Sequence, residues 1–250
     1  MNVEIFRLTE EIISRAIEER DAILLQKEAT FLLNSFAMIM PEAFPQIEYV
    51  RLTKVQFKMN PDFMFGKTHV SSLRKLLTSI EQILQQRIDI IEAKLLFDSW
   101  FYESTETGSL HYVFDDSELV NISDAADSLG VSRTTLYKYI DRGLETVGEK
   151  HNQKVPRFLL EAWKNPEVAF QMQWLAQLKR TREQTAEQRL DDVNKQIAEF
   201  EKKFGGSFYF LFSNMTDQEL DAHPEAVDLH DWRELEKEKQ ELLARLKGER

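Results

Sequence analysis

The chain has no cysteine among its 250 residues. That excludes structural disulfides and thiolate metal sites, and makes a reducing interior its easiest home. Long apolar runs are missing too. No uninterrupted stretch approaches the ~18 residues that a membrane span needs, and the opening MNVEIFRLTEEII is charged from Glu4 onward, without the apolar core of a leader. A cytoplasmic protein with no membrane partner is the expectation. Net positive charge is also lacking: 32 Lys and Arg face 43 Asp and Glu, for a formal charge of -11. Such acidity argues against indiscriminate coating of nucleic acid, because non-specific affinity comes from phosphate neutralisation by cations. A local basic patch stays compatible with that total, since repulsion is damped beyond a Debye length of ~8 Å in cell-like salt.

Catalytic constellations are absent from the sequence as well. Neither a Gly-rich phosphate loop nor a nucleophile elbow occurs. His69 and His111 lack the second histidine or paired carboxylates at ligand spacing, and His223 and His230, with Asp221, Asp228 and Asp231 nearby, are a poor ligand set. No enzymatic activity, cofactor or metal is expected.

A hydrophobic content of 42% supports a real core, and the periodicity is mainly α. From Ile5 to Met40 apolar residues recur at three and four, giving one long helix or two in succession, interrupted by Pro41 and Pro45. Ile47 to Met59 is rich in β-branched and aromatic residues and predicts a strand; Leu110 to Phe114 predicts its pairing partner. Between them, Leu73, Leu76, Leu77, Ile80, Ile83 and Leu84 through Leu96 form a broad stripe predicting one helix from about Val70 to Glu103. Residues 1–116 therefore read as a helical amino-terminal dimerisation or partner domain with a two-stranded element.

Residues 117–165 carry the most information. Ser123 is placed to cap a short helix running to Leu129, with Ala125 and Ala126 small enough for a close crossing and Gly130 as its stop. Ser132 caps a second helix, Arg133 to Arg142, which turns Val131, Leu136 and Ile140 inward and Arg133, Thr134, Tyr137 and Lys138 outward; Gly143 ends it. Leu144 to Val147 and Lys154 to Val155 flank a polar loop in the pattern of a hairpin wing, and Pro156 opens a closing helix with Phe158, Leu159, Ala162 and Trp163. From Val131 to Arg157 six Lys or Arg stand against three Asp or Glu, a local excess of three.

The order alanine pair, Leu-Gly-Val-Ser, Arg-Thr-Thr-Leu-Tyr-Lys-Tyr-Ile, Gly-Leu resembles the winged helix-turn-helix of the excisionase and MerR-like families, over about a fifth of the chain. The resemblance implies major-groove contact by Arg133, Thr134, Tyr137 and Lys138, phosphate contact by Lys150 and Lys154 in the wing, and a place for Ser132 and Thr135 within the same DNA-binding surface. The wing departs from a strongly cationic one, since Glu145 precedes it and Glu149 sits beside Lys150.

In the carboxy-terminal part, residues 166–204 read as a coiled-coil-like helix, its stripe resuming at Leu190, Val193, Ile197, Phe200 and Phe204 after the polar run Lys179 to Gln188. Gly205 and Gly206 break it, and SFYFLF opens a helical partner-binding module over 205–250, closing with a helix from about Leu229 to Leu246. That module resembles the short helical modules of small antitoxin chains. The resemblance implies a partner surface on Phe204, Phe208, Phe210, Phe212 and Trp232.

The expected function is sequence-specific binding of double-stranded DNA by a homodimeric transcriptional regulator, with helix 133–142 in the major groove and wing 144–155 on phosphate. The alternatives are an antitoxin or inhibitor-type interaction module with autoregulatory DNA binding, or a phage or mobile-element excision, replication or segregation factor.

Overall fold

The computed structural model describes residues 3–148, 152–212, 215–221 and 223–248. It is mainly helical, and the chain divides into two compact units, Met1–Lys179 and Arg180–Arg250. The expected boundary at 116–117 thus falls inside the first unit.

In the first unit, α1 (Val3–Glu18) and α2 (Ala22–Ala43) are separate helices. Arg20, at φ 53, turns the chain between them, and Asp21 caps α2 by accepting the Leu24 N–H. Pro41 sits within the last turn of α2 rather than ending it. Strand β1 (Ile47–Phe57) follows, then the single turn α3 (Pro61–Met64).

The long helix expected from Val70 to Glu103 is two helices, α4 (Lys67–Leu84) and α5 (Ile90–Ser104). Gln86 takes φ 53, Ile88 is buried in the turn, and the Asp89 carboxylate accepts the Glu92 N–H at 2.8 Å, satisfying an orphan donor of the second helix. The apolar stripe is continuous through the break because both helices face one core. There Phe36 of α2 stacks on Phe97 of α5 at 4.3 Å, and Leu73, Leu76, Ile80 and Trp100 are almost wholly buried. Each such side chain contributes about 1.5–3 kcal/mol through its lost contact with water.

Strand β2 (Thr105–Phe114) pairs antiparallel with β1, with Leu52 opposite Leu110 and Ile47 opposite Phe114. The register shifts between Thr53 and Gln56, where Lys54 takes φ 50. Gly108 is needed opposite this bulge: it takes φ 107, and an added Cβ would lie 2.7 Å from the Val55 Cα.

A 3-10 turn (Asp116–Glu118) leads to β3 (Leu119–Asn121), α6 (Ile122–Ser128) and α7 (Arg133–Arg142). Next come β4 (Lys154–Pro156), α8 (Arg157–Trp163) and α9 (Pro166–Glu183). Gly143, at φ 137, ends α7 and gives α9 room, since a Cβ there would lie 2.8 Å from that of Ala176.

The second unit comprises α10 (Ala186–Phe204), α11 (Phe208–Phe212), α12 (Asp217–Asp221) and α13 (Ala226–Gly248). Thr185 and Gln188 form a capping box that starts α10 within the polar run. Arg189 donates twice to Glu238, at 2.6 and 2.7 Å, while Lys203 at the other end of α10 pairs with Glu225 and Asp228. These pairs make α10 and α13 antiparallel. The seam of Val193 and Ile197, read as a coiled-coil face, is therefore buried inside this unit together with Leu229 and Trp232.

His69 of α4 is 6% exposed, its ring against Phe63 and its Nδ1 3.5 Å from Ser104 Oγ. Burial, reinforced by the Lys58 charge, lowers its pKa from 6.5 to about 4. The unfolded chain then binds the proton more tightly, so stability is full above the unfolded value and is lost as pH falls towards the folded one. Between about pH 7 and about pH 4.5, wild type should lose roughly 2 kcal/mol more unfolding free energy than His69→Gln, measured by urea denaturation. Parallel curves for the two proteins would show that His69 is not held neutral.

Candidate nucleic-acid interface

Asn121, not Ser123, caps α6: its Oδ1 accepts the Asp124 N–H at 3.0 Å and its Nδ2 donates to the Asp124 carboxylate at 2.8 Å. Ser123 lies one residue inside the helix, where its Oγ accepts a 2.7 Å hydrogen bond from Arg133 Nη2. Ser132 caps α7 as expected, its Oγ accepting the Thr135 N–H at 3.1 Å and standing 3.0 Å from Thr135 Oγ1. Both hydroxyls are thus occupied in forming the first turn.

The inward side of α7 is fixed by Leu136, which is wholly buried with Ala125, Ala126, Leu144, Val155, Leu159, Leu160 and Trp163. Val131 and Ile140 are half-buried against the same core. On the other side, Arg133, Thr134, Tyr137 and Lys138 are exposed, Tyr137 by 44%. Among the described residues, Thr134, Tyr137 and Lys138 make no side-chain hydrogen bond or ion pair. The surface combines a guanidinium, an ammonium and two hydroxyls on one helix face.

The ribbon differs from the expected hairpin. Residues 144–147 contribute a single bridge, Val147 to Lys154, and β4 pairs instead with β3, with Val120 opposite Val155. Sequence reasoning passed over β3 because three residues give no periodicity to read. Lys154 Nζ lies 3.5 Å from Asp116 Oδ1, so this cation is already partnered, while Lys150 lies outside the described residues.

Glu145, read as a wing acid, turns inward. It reaches Lys94 Nζ of α5 at 2.9 Å, and Lys94 also donates to Asp98 Oδ2 at 2.5 Å. Tyr112 of β2 donates to the other Asp98 oxygen at 2.7 Å, with the Lys94 ammonium 4.4 Å from its ring centroid. Lys94 is 3% exposed; burial opposes its charge, but Asp98 and Glu145 outweigh that and raise its pKa. Burial lifts the Asp98 carboxyl above the usual range against the pull of Lys94. Burial opposes ionisation of Glu145 too, yet Lys94 and the more distant Lys179 hold its carboxyl below the usual value. A cavity of about 80 Å³ adjoins these groups. The sequence did contain a signal: a lysine and an aspartate at i, i+4 on the apolar face of a helix, among Ile90, Ala93, Phe97 and Phe101.

The aromatic set expected to meet a partner is mostly core. Trp232 is wholly buried and Phe208 is 5% exposed; Phe204 and Phe212 are half-buried against them, with Phe204 and Trp232 rings 5.4 Å apart. These four are covered by α10 and α13, because a unit this small has few other apolar groups from which to build a core. Phe210 alone of the five projects outward, at 84% exposure.

Replacing Lys94 by Met leaves Asp98 and Glu145 without the cation between them and should destabilise the chain by about 3 kcal/mol. Glu145→Gln should cost less than about 1 kcal/mol, because that side chain is 41% exposed and Asp98 still pairs with Lys94. Urea denaturation measures both; equal effects would contradict a Lys94-centred cluster.

Comparison of the chain with family models, with curated proteins and with solved structures gives no match.

Proposed function

We propose that this chain is a sequence-specific binder of double-stranded DNA, acting as a homodimeric transcriptional regulator. In this reading α6 and α7 are a helix-turn-helix of the excisionase and MerR-like kind, and the 144–155 segment with β3 and β4 is a reduced wing. The supporting observation is the outward face of α7. Arg133, Thr134, Tyr137 and Lys138 stand exposed on a helix whose other side is anchored by Leu136 over Ala125 and Ala126. Such a helix can place a guanidinium and hydroxyls at base edges, and its Ser132-capped start favours an approaching phosphate.

Two-fold symmetry would present two such helices to repeated half-sites. The Val193 and Ile197 seam is taken up within the second unit, so dimerisation must use another surface. A second reading, in which the carboxy-terminal unit docks a protein partner, is favoured by the exposure of Phe210, beside the 52% exposed Tyr209. On that reading only Phe210, of the five aromatic residues, is available for contact.

Selection from random duplexes should return an enriched motif with wild type. Arg133→Ala should cost about 1–3 kcal/mol of preference at one base step. Unchanged discrimination would remove Arg133 from base reading. Lys154→Ala should weaken binding to all sequences alike and lower the salt dependence by about one phosphate contact. An identical salt slope would place Lys154 away from the backbone.

A further inference from the structure

A groove of about 870 Å³ crosses the first unit between α4, α5 and α9. Its size lies within the roughly 300–1,000 Å³ typical of small-molecule sites. The apolar floor comes from Leu95, Leu96 and Trp100 of α5 and from Val168 and Trp174 of α9. One edge is polar and comes from α4, with Lys67, Thr68, Ser71 and Lys75.

Uncommitted donors gather on the α4 edge of this lining. Among the described residues Lys67 and Lys75 make no ion pair. Gly66 starts α4 without a side-chain cap, which leaves first-turn N–H groups open beside Lys67. Trp100 is 2% exposed, yet its indole Nε1 has no partner among the described residues. A buried donor left without an acceptor costs about 1–3 kcal/mol. The acids of the lining, Asp89, Glu92 and Glu103, all belong to the α5 side, and the first and last each accept one bond from a neutral donor, which leaves their charge in place. Three carboxylates face two ammonium groups, so a ligand head is confined to the α4 edge and a single negative charge is favoured over a dianion.

We propose that this groove binds an amphiphilic organic monoanion, with an apolar aromatic or alkyl body on the Leu95, Leu96, Trp100 and Trp174 floor and an acidic head between Lys67 and Lys75. Ammonium groups recognise the head through charge-assisted hydrogen bonds, and Trp174, 42% exposed, supplies a flat apolar face for the body. This site does not require that the chain bind DNA.

The test uses the full chain and two fluorescent probes of similar shape, the anion anilinonaphthalene sulfonate and the neutral phenylnaphthylamine. Wild type should bind both saturably at one site, with quenching of tryptophan emission. Combining Lys67→Ala with Lys75→Ala should weaken the sulfonate about tenfold, the size of one lost charge-assisted hydrogen bond, and leave the neutral probe within about twofold. Leu96→Trp, which fills the groove, should weaken both probes, with circular dichroism confirming that each variant is folded. Absence of saturable binding to wild type would overturn the proposal. So would sulfonate affinity unchanged by the lysine variant, or binding of both probes unchanged by Leu96→Trp.

Discussion

The first unit depends on one buried cation. Lys94 holds Asp98 on its own helix and Glu145 on the segment that follows α7, and Tyr112 of β2 completes the Asp98 carboxylate. Taking Lys94 and Asp98 out of water costs several kcal/mol per ion unless they meet in good geometry, and the half-exposed Glu145 adds a weaker tie to the end of α7. The arrangement is therefore favourable only when α5, β2 and the end of α7 assemble together, which selects one placement of α7 against the helices. Gly143 contributes from the backbone side, since α9 passes where a side chain would be. What α7 presents outward follows from how firmly it is held inward.

On the proposed reading an acidic chain carries a cationic reader, and two of that reader's cations are partnered. Arg133 is tied to Ser123 and Lys154 to Asp116 in the free chain. The Asp116 side chain is 90% exposed, so that pair contributes little and is readily exchanged for a phosphate. The Arg133 bond, also exposed, joins α6 to α7 directly. On the proposed reading the Asp116 carboxylate lowers the effective positive charge at Lys154 until a polyanion competes for it, while the neutral Ser123 hydroxyl only fixes the Arg133 guanidinium in place. Such competition is consistent with selectivity for a site over bulk nucleic acid.

Much of the fold was legible where periodicity or capping chemistry is strong. The Ser132 cap, the Gly130 and Gly143 stops, the inward Leu136, and the pairing of Ile47–Phe57 with a strand ending at Phe114 all follow from local rules. Three misreadings share a cause: side chains with two physically sensible uses. Ser123 and Asn121 can both cap, and Asn121 does. Asp89 with Glu92 three residues on is a helix-start signal, but the unbroken apolar stripe around it hid the turn. Phe204, Phe208, Phe212 and Trp232 looked like a contact surface because the sequence does not reveal that α13 folds back on α10. Glu145 was the hardest to place: an acid in a polar loop gives no hint of a lysine on a distant helix, and only the Lys94, Asp98 spacing pointed there.

Amide spectra of the isotopically labelled chain, recorded while a duplex pool is added, address the central claim most directly. The account predicts that the largest shifts fall on Ser132 to Lys138, with smaller ones at Lys154, and that added salt reverses them. Shifts confined to other segments, with residues 132–138 unmoved at saturating duplex, would contradict it.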